Sequence, residues 1–106
     1  MGSYVLLERD EVNQEIFVDY VWEKKSDTYY VHVNFGEELY STKPYKQDAI
    51  ESFYYISMLL CAYYDTHGIE DFIKAVKNYV SEQSSSPIAY DTSNAKINTV
   101  QTLMGK

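Results

Sequence analysis

The chain has 106 residues, with sixteen acidic side chains against nine basic ones and a formal net charge of −7. That length is one domain's worth and can bury a core without staples, while the acidity excludes direct binding to nucleic-acid phosphates or an anionic membrane, both of which need Lys/Arg clusters. A single cysteine, Cys61, excludes an internal disulfide and a cysteine-based zinc site.

Twelve tyrosines are more than this length requires. Each offers an apolar face and a polar tip, which suits half-buried surfaces and interfaces; a compositional bias of the coding genome is the alternative. Tyr4–Leu7 is too short for a secretion signal and runs straight into charges, so a cytoplasmic setting is expected.

Taken in order, Tyr4–Arg9 reads as a brief strand and Asp10–Gln14 as a polar turn. Glu15–Lys24 alternates cleanly: Ile16, Val18, Tyr20 and Trp22 share one face, and Phe17, Asp19, Val21 and Glu23 the other. Thr28–Phe35 repeats the pattern, with Tyr29, Val31, Val33 and Phe35 against Tyr30, His32 and Asn34. A short polar connection between two such runs predicts an antiparallel hairpin. His32 then belongs to the exposed, polar side of its strand. Gly36 opens a further turn, and Leu39–Thr42 adds an edge strand.

Asp48–His67 is the segment around which the rest must be arranged, because Phe53–Tyr64 is free of charge over twelve residues. Such a run is too short to span a bilayer and fits a buried core helix. Pro44 suits its first turn, and Gly68 its left-handed C-terminal cap. A second amphipathic helix is predicted over Ile69–Gln83, with Phe72, Ile73, Val76, Tyr79 and Val80 turned inward.

Ser84-Ser85-Ser86-Pro87 marks a change of character. Fifteen acids face seven bases up to Gln83, and one acid faces two bases beyond it. Residues 1–83 therefore read as one compact domain and 84–106 as a polar C-terminal segment. Ile97, Val100, Leu103 and Met104 keep helical spacing behind a Ser93 cap, so a docked helix over 94–104 and an unstructured tail are both open. The fold class that follows is α+β: a three- to four-stranded antiparallel sheet packed on a long central helix, followed by a second helix.

Chemistry is sparse. The chain has no Gly-rich phosphate loop, nucleophile elbow or zinc-protease motif. Cys61 and His67 stand about 240° apart around a helix and do not converge, which leaves His32 as the base that could pair with Cys61. Turn carboxylates favour solvation over acid–base work. No cofactor and no metal are expected, and the chain reads as non-enzymatic.

Glu15, Asp19 and Glu23 recur at four-residue steps along one strand face, about 13 Å apart at roughly 3.3 Å per residue. With Asp10, Glu11, Glu37 and Glu38 nearby, they compose an acidic sheet surface able to imitate a nucleic-acid backbone. The plainer reading is a solvated face whose charges oppose edge-to-edge aggregation. Over residues 15–83 the order strand–strand–strand–helix–helix, together with the acidity, resembles small phage-encoded anti-CRISPR inhibitors and related DNA mimics. That resemblance implies an acidic protein that occupies a nuclease's site for duplex DNA; it rests on element order and charge alone and transfers no residue.

The leading expectation is thus a non-catalytic inhibitor that binds the basic nucleic-acid-binding surface of a partner protein through Asp10, Glu11, Asp19, Glu23, Glu37 and Glu38. The alternative is an assembly module that homodimerises through the long helix, with Tyr55, Met58, Leu59 and Ala62 as the seam.

Overall fold

The computed structural model describes residues 4–66, 68–78, 80–84 and 89–99. Eight elements follow one another: β1 (Tyr4–Glu11), β2 (Ile16–Glu23), β3 (Thr28–Phe35), β4 (Glu38–Thr42), α1 (Ile50–Thr66), α2 (Ile69–Ala75), β5 (Val80–Ser84) and β6 (Lys96–Thr99). All six strands join one sheet in the order β5-β4-β3-β2-β1-β6. Every pairing is antiparallel except β1 with β6, which is parallel. The α+β class is as expected; the sheet is larger than expected and mixed.

The central hairpin forms where alternation places it. Val18, Tyr20, Val31 and Val33 pack with Phe53, Ile56 and Leu60 of α1 and Phe72 and Val76 of α2. Val18 lies opposite Val33 and Tyr20 opposite Val31, so the apolar faces of β2 and β3 coincide. Asp27 closes the connecting turn in the left-handed region, at φ 54°, and its carboxylate accepts from Trp22 Nε1 at 2.8 Å. Gly36, at φ 59°, comes first in the two-residue β3–β4 loop, a position where glycine avoids the Cβ penalty.

Tyr20 ties α1 to the sheet. Its hydroxyl donates to Asp48 Oδ1 at 2.5 Å and accepts from the Ala49 N–H at 2.6 Å. Asp48 Oδ1 also accepts from the Ile50 N–H at 2.9 Å, which satisfies an orphan donor at the helix start. The hydrogen bond from Tyr20 holds the Asp48 carboxyl below its ordinary value, and burial followed by Asp48 raises the Tyr20 phenol. Pro44 is not in the first helical turn: it precedes a bridge in which Tyr45 and Tyr29 exchange backbone bonds of 2.9 and 2.8 Å. Gly68 has the positive φ expected of a glycine there, 91°, but its ψ of 177° is extended, so it forms no left-handed cap on α1: its N–H reaches the Tyr63 carbonyl at 2.6 Å and the residue stands at the N-cap of α2.

Two expectations after that point are corrected. The helix predicted over Ile69–Gln83 stops at Ala75, and Val80–Ser84 instead pairs with β4. Phe72, Ile73 and Val76 keep their inward positions; beyond them, the open edge of β4 offers a complete row of partners to a Ser-rich segment of low helix propensity. Likewise, Lys96–Thr99 of the helix considered over 94–104 is a strand against β1. Ser93 caps no helix there: its N–H and hydroxyl both donate to Asp91 Oδ1, at 3.0 and 2.7 Å. The polar segment after Gln83 therefore completes the sheet of the compact domain. Val100, Leu103, Met104, His67 and Tyr79 lie outside the described residues.

Candidate functional site

The six carboxylates expected to face a partner separate into different environments. Asp19 is fully buried. Cross-strand register places it opposite Arg9 on β1 and His32 on β3. Arg9 grips it side-on, Nε to Oδ1 at 2.6 Å and Nη2 to Oδ2 at 3.0 Å, and Asn34 Nδ2 donates to Oδ2 at 3.0 Å. The chain's single arginine is thus committed to an internal pair, with its guanidinium also 4.0 Å above the Phe17 ring. Burial raises the Asp19 carboxyl against the opposing pull of Arg9 and Asn34.

Tyr90 closes the pocket from the C-terminal segment. That segment runs beside β1, with the Leu6 N–H donating to the Asp91 carbonyl at 3.0 Å and the Asp91 N–H to the Tyr4 carbonyl at 2.9 Å. The Tyr90 hydroxyl lies 2.6 Å from His32 Nδ1, and burial, followed by the nearby Asp19 charge, raises the phenol. Burial lowers the His32 imidazole to about 4, so the ring is neutral at physiological pH. The neutral ring and the phenol share this one hydrogen bond, whose donor is set by the imidazole tautomer. Tyr4, Tyr30, His32 and Tyr90 also pack ring against ring, with centroids 5.8–6.1 Å apart.

Asp10 is the second correction. It points to the helix side of the sheet, where it accepts from Ser57 Oγ at 2.6 Å and Asn98 Nδ2 at 2.7 Å; the same Asn98 nitrogen reaches Glu8 at 2.9 Å. Glu23 lies at the opposite end of β2 from the other acids and accepts from Ser26 Oγ. The row drawn through Glu15, Asp19 and Glu23 is broken in its middle by the burial of Asp19.

What remains is a convergence at one end of the sheet. Glu11 ends β1, Glu15 precedes β2, Glu37 lies in the β3–β4 loop and Glu38 begins β4. The Gly36 N–H donates to the Glu15 carbonyl at 2.7 Å, which holds the two loops together. Glu15, Glu37 and Glu38 are exposed, and Glu11 is half-buried. Lys24, Lys25, Lys43 and Lys46 are exposed at the other end of the same strands. Glu15, which the sequence places in the acidic row but not among the six partner-binding residues, joins them here because two hairpin loops are adjacent on neighbouring strand pairs.

Helix α1 carries a different surface. Tyr55 and Met58 of the expected seam are 44% and 58% exposed, and Tyr54 joins them at 50%. Leu59 instead packs against the core, and Ala62 is half-buried.

Cys61 belongs to α1, whereas His32 lies on the sheet face turned away from the helices, so they do not meet. Among the described residues no group of three or more His, Cys, Asp or Glu side chains could hold a metal ion, and no helix is long and apolar enough to cross a membrane. A groove of about 760 Å³ borders Tyr45–Ser52, but its polar groups include those that start α1. No protein-family model, curated protein or solved structure matches the chain.

Proposed function

We propose that the protein is a non-catalytic binding domain that acts in the cytoplasm by presenting the acidic end of its sheet to a basic, nucleic-acid-binding surface of a partner protein. Its sharpest form is a phage- or mobile-element-encoded inhibitor of the anti-CRISPR, DNA-mimic kind. The observation that carries the reading is the convergence of Glu11, Glu15, Glu37 and Glu38 on two adjacent loops, whereas at the opposite end the exposed Asp27, Asp48 and Asp91 are offset by Lys24, Lys25, Lys43 and Lys46. Strands lie about 4.8 Å apart, so the two loops stand roughly 10 Å from each other. Several carboxylates over that span approach the charge density of a duplex backbone, about one charge per 1.7 Å of axis.

The uneven charge along the sheet, acidic at one end and nearly balanced at the other, also orients the molecule in a partner's field. The acidic end leads the approach to a positive surface, and encounter is accelerated at low ionic strength. Asp19 and Asp10 have no part in this surface, because their charges are spent inside the fold.

The test is inhibition of DNA binding by a panel of Cas nucleases, measured with the full chain at low and high salt. Inhibition that weakens steeply with salt and disappears in the Glu37→Lys/Glu38→Lys variant is the expected outcome. Inhibition that is flat with salt, that survives the double reversal, or that is absent across the panel sinks the proposal.

A further inference from the structure

The C-terminal segment meets the sheet in two ways. Lys96–Thr99 extends it edgewise as β6, with Asn98 held by Glu8 and Asp10. Tyr90 instead lies over its far face. The Tyr90 ring stacks on the His32 ring with centroids 5.9 Å apart, and its hydroxyl shares the 2.6 Å bond with Nδ1. Asp91 anchors this contact through its two backbone bonds to Tyr4 and Leu6. Ala89 and residues 91–94 are exposed. One ring, one hydroxyl and one bridge thus hold Tyr90 down, and so few buried contacts open well below the free energy of global unfolding.

His32 is 2% exposed, and its surroundings suit a neutral ring. Tyr4 of β1, Tyr30 of its own strand and Tyr90 present rings, and Ser41 faces it from β4 without charge. Asp19 is the carboxylate opposite on β2. Its oxygens already accept from Arg9 and Asn34, and Arg9 brings a positive charge to the same pocket. An imidazolium there loses water without gaining a carboxylate of its own. The ring therefore takes a proton most readily when water reaches it, and Tyr90 stands between them.

We infer that Tyr90 and Asp91 form an acid-released strap: proton uptake by His32 undocks them from the sheet, while β6, the hairpins and the helices stay in place. Release bares the rings of Tyr4 and Tyr30 and admits water to the Arg9–Asp19 pair. Burial holds the closed ring at about 4, against about 6.5 once it is solvated, so acid favours the open state. The opening constant then rises about twenty-fold from pH 7 to pH 5. The raised Asp19 carboxyl acts in the opposite sense, and a variant lacking only the imidazole isolates the histidine. The glutamates of the acidic end lie on the two hairpin loops, so the strap is independent of that surface.

The experiment is amide hydrogen exchange of the full chain by NMR between pH 7 and pH 5, each rate divided by its intrinsic value so that base catalysis cancels. The Leu6 N–H, which donates to Asp91, and the Asp91 N–H, which donates to Tyr4, report the strap directly. Their protection should be flat above about pH 6.5 and fall tenfold per unit below it, the signature of one proton. Val31 and Phe53, whose N–H groups bond inside the core, should keep theirs. His32→Gln should abolish the fall. Tyr90→Phe, which retains the imidazole, should start from lower protection at pH 7 and still fall. Equal protection of Leu6 and Asp91 at both ends of the range overturns the inference, as does a fall that persists in His32→Gln. A fall shared by Val31 and Phe53 also overturns it, since the whole molecule would then be opening.

Discussion

The two faces of the sheet are both buried, by different means. The helix side is closed by aliphatic and aromatic packing, with Val18, Val31, Val33, Phe53, Ile56, Leu60, Phe72 and Val76 at no exposure. The far side is closed over charge: Arg9, Asp19, Asn34, His32 and Tyr90 satisfy one another beside Tyr4 and Tyr30. Apolar packing tolerates small changes in shape, and each deletion costs in proportion to what it leaves empty. A charged network is all or nothing, since removing one partner leaves the other buried and unpaired. The lesson is that an acidic residue in a strand cannot be assigned to solvent until its cross-strand neighbours are known.

The comparison breaks most sharply at Asp19. Asp19→Ala should cost about 3 kcal/mol, the low end of the penalty for breaking a buried pair, because the Arg9 charge left behind is partly exposed. Phe53→Ala on the helix side should cost about 3–5 kcal/mol by a cavity alone. Replacing both charges, as in Arg9→Met/Asp19→Leu, separates the mechanisms: the double variant should regain most or all of the loss. Urea unfolding with an unchanged m-value is the measurement. A double variant no more stable than Asp19→Ala would show that the pair contributes more than mutual neutralisation.

Acid should loosen the far face first. The folded His32 is held at about 4 by burial, below the 6.5 or so of an unfolded imidazole, so the unfolded state takes up the proton first. Stability from this group is complete above about 6.5 and is lost as pH falls towards 4, by about 3 kcal/mol at 1.36 kcal/mol per unit. The raised Asp19 carboxyl acts in the opposite sense on the acid side. His32→Gln should flatten the profile of urea midpoint against pH across that window, while Phe53→Ala should shift it without changing its shape. An unchanged slope in His32→Gln would show that the proton is taken up elsewhere.

Tyr90→Phe removes only the hydroxyl that bonds His32 Nδ1, and should cost about 1–3 kcal/mol, the penalty for leaving a buried polar atom without its partner. Ser57→Ala, which takes one donor from Asp10 on the helix side, belongs nearer 1–2 kcal/mol, since Asn98 still holds the carboxylate. The smallest effect is expected at the exposed sheet end: Glu37→Lys/Glu38→Lys should change stability by no more than about 0.5 kcal/mol. Thermal or urea unfolding ranks all three. A large loss in that last variant would mean that these carboxylates serve the fold.

The chain by itself determined its centre. Period-two alternation over β2 and β3, and the twelve uncharged residues of Phe53–Tyr64, identify the elements and the faces that meet, because burial of apolar surface needs no knowledge of distant partners. Gly68 was legible as a helix stop for the same local reason.

The tertiary structure decided the remainder. Val80–Ser84 and Lys96–Thr99 became strands because β4 and β1 had open edges, a nonlocal competition that helical spacing cannot register. Asp19 was assigned to solvent because polar alternation looks the same whether a strand face is wet or covered. Its burial depends on Arg9 ten residues upstream, on Asn34 across the hairpin, and on His32, which Tyr90 bonds from the C-terminal segment. The chain names each of these residues; only the pairing of strands gathers them around one carboxylate.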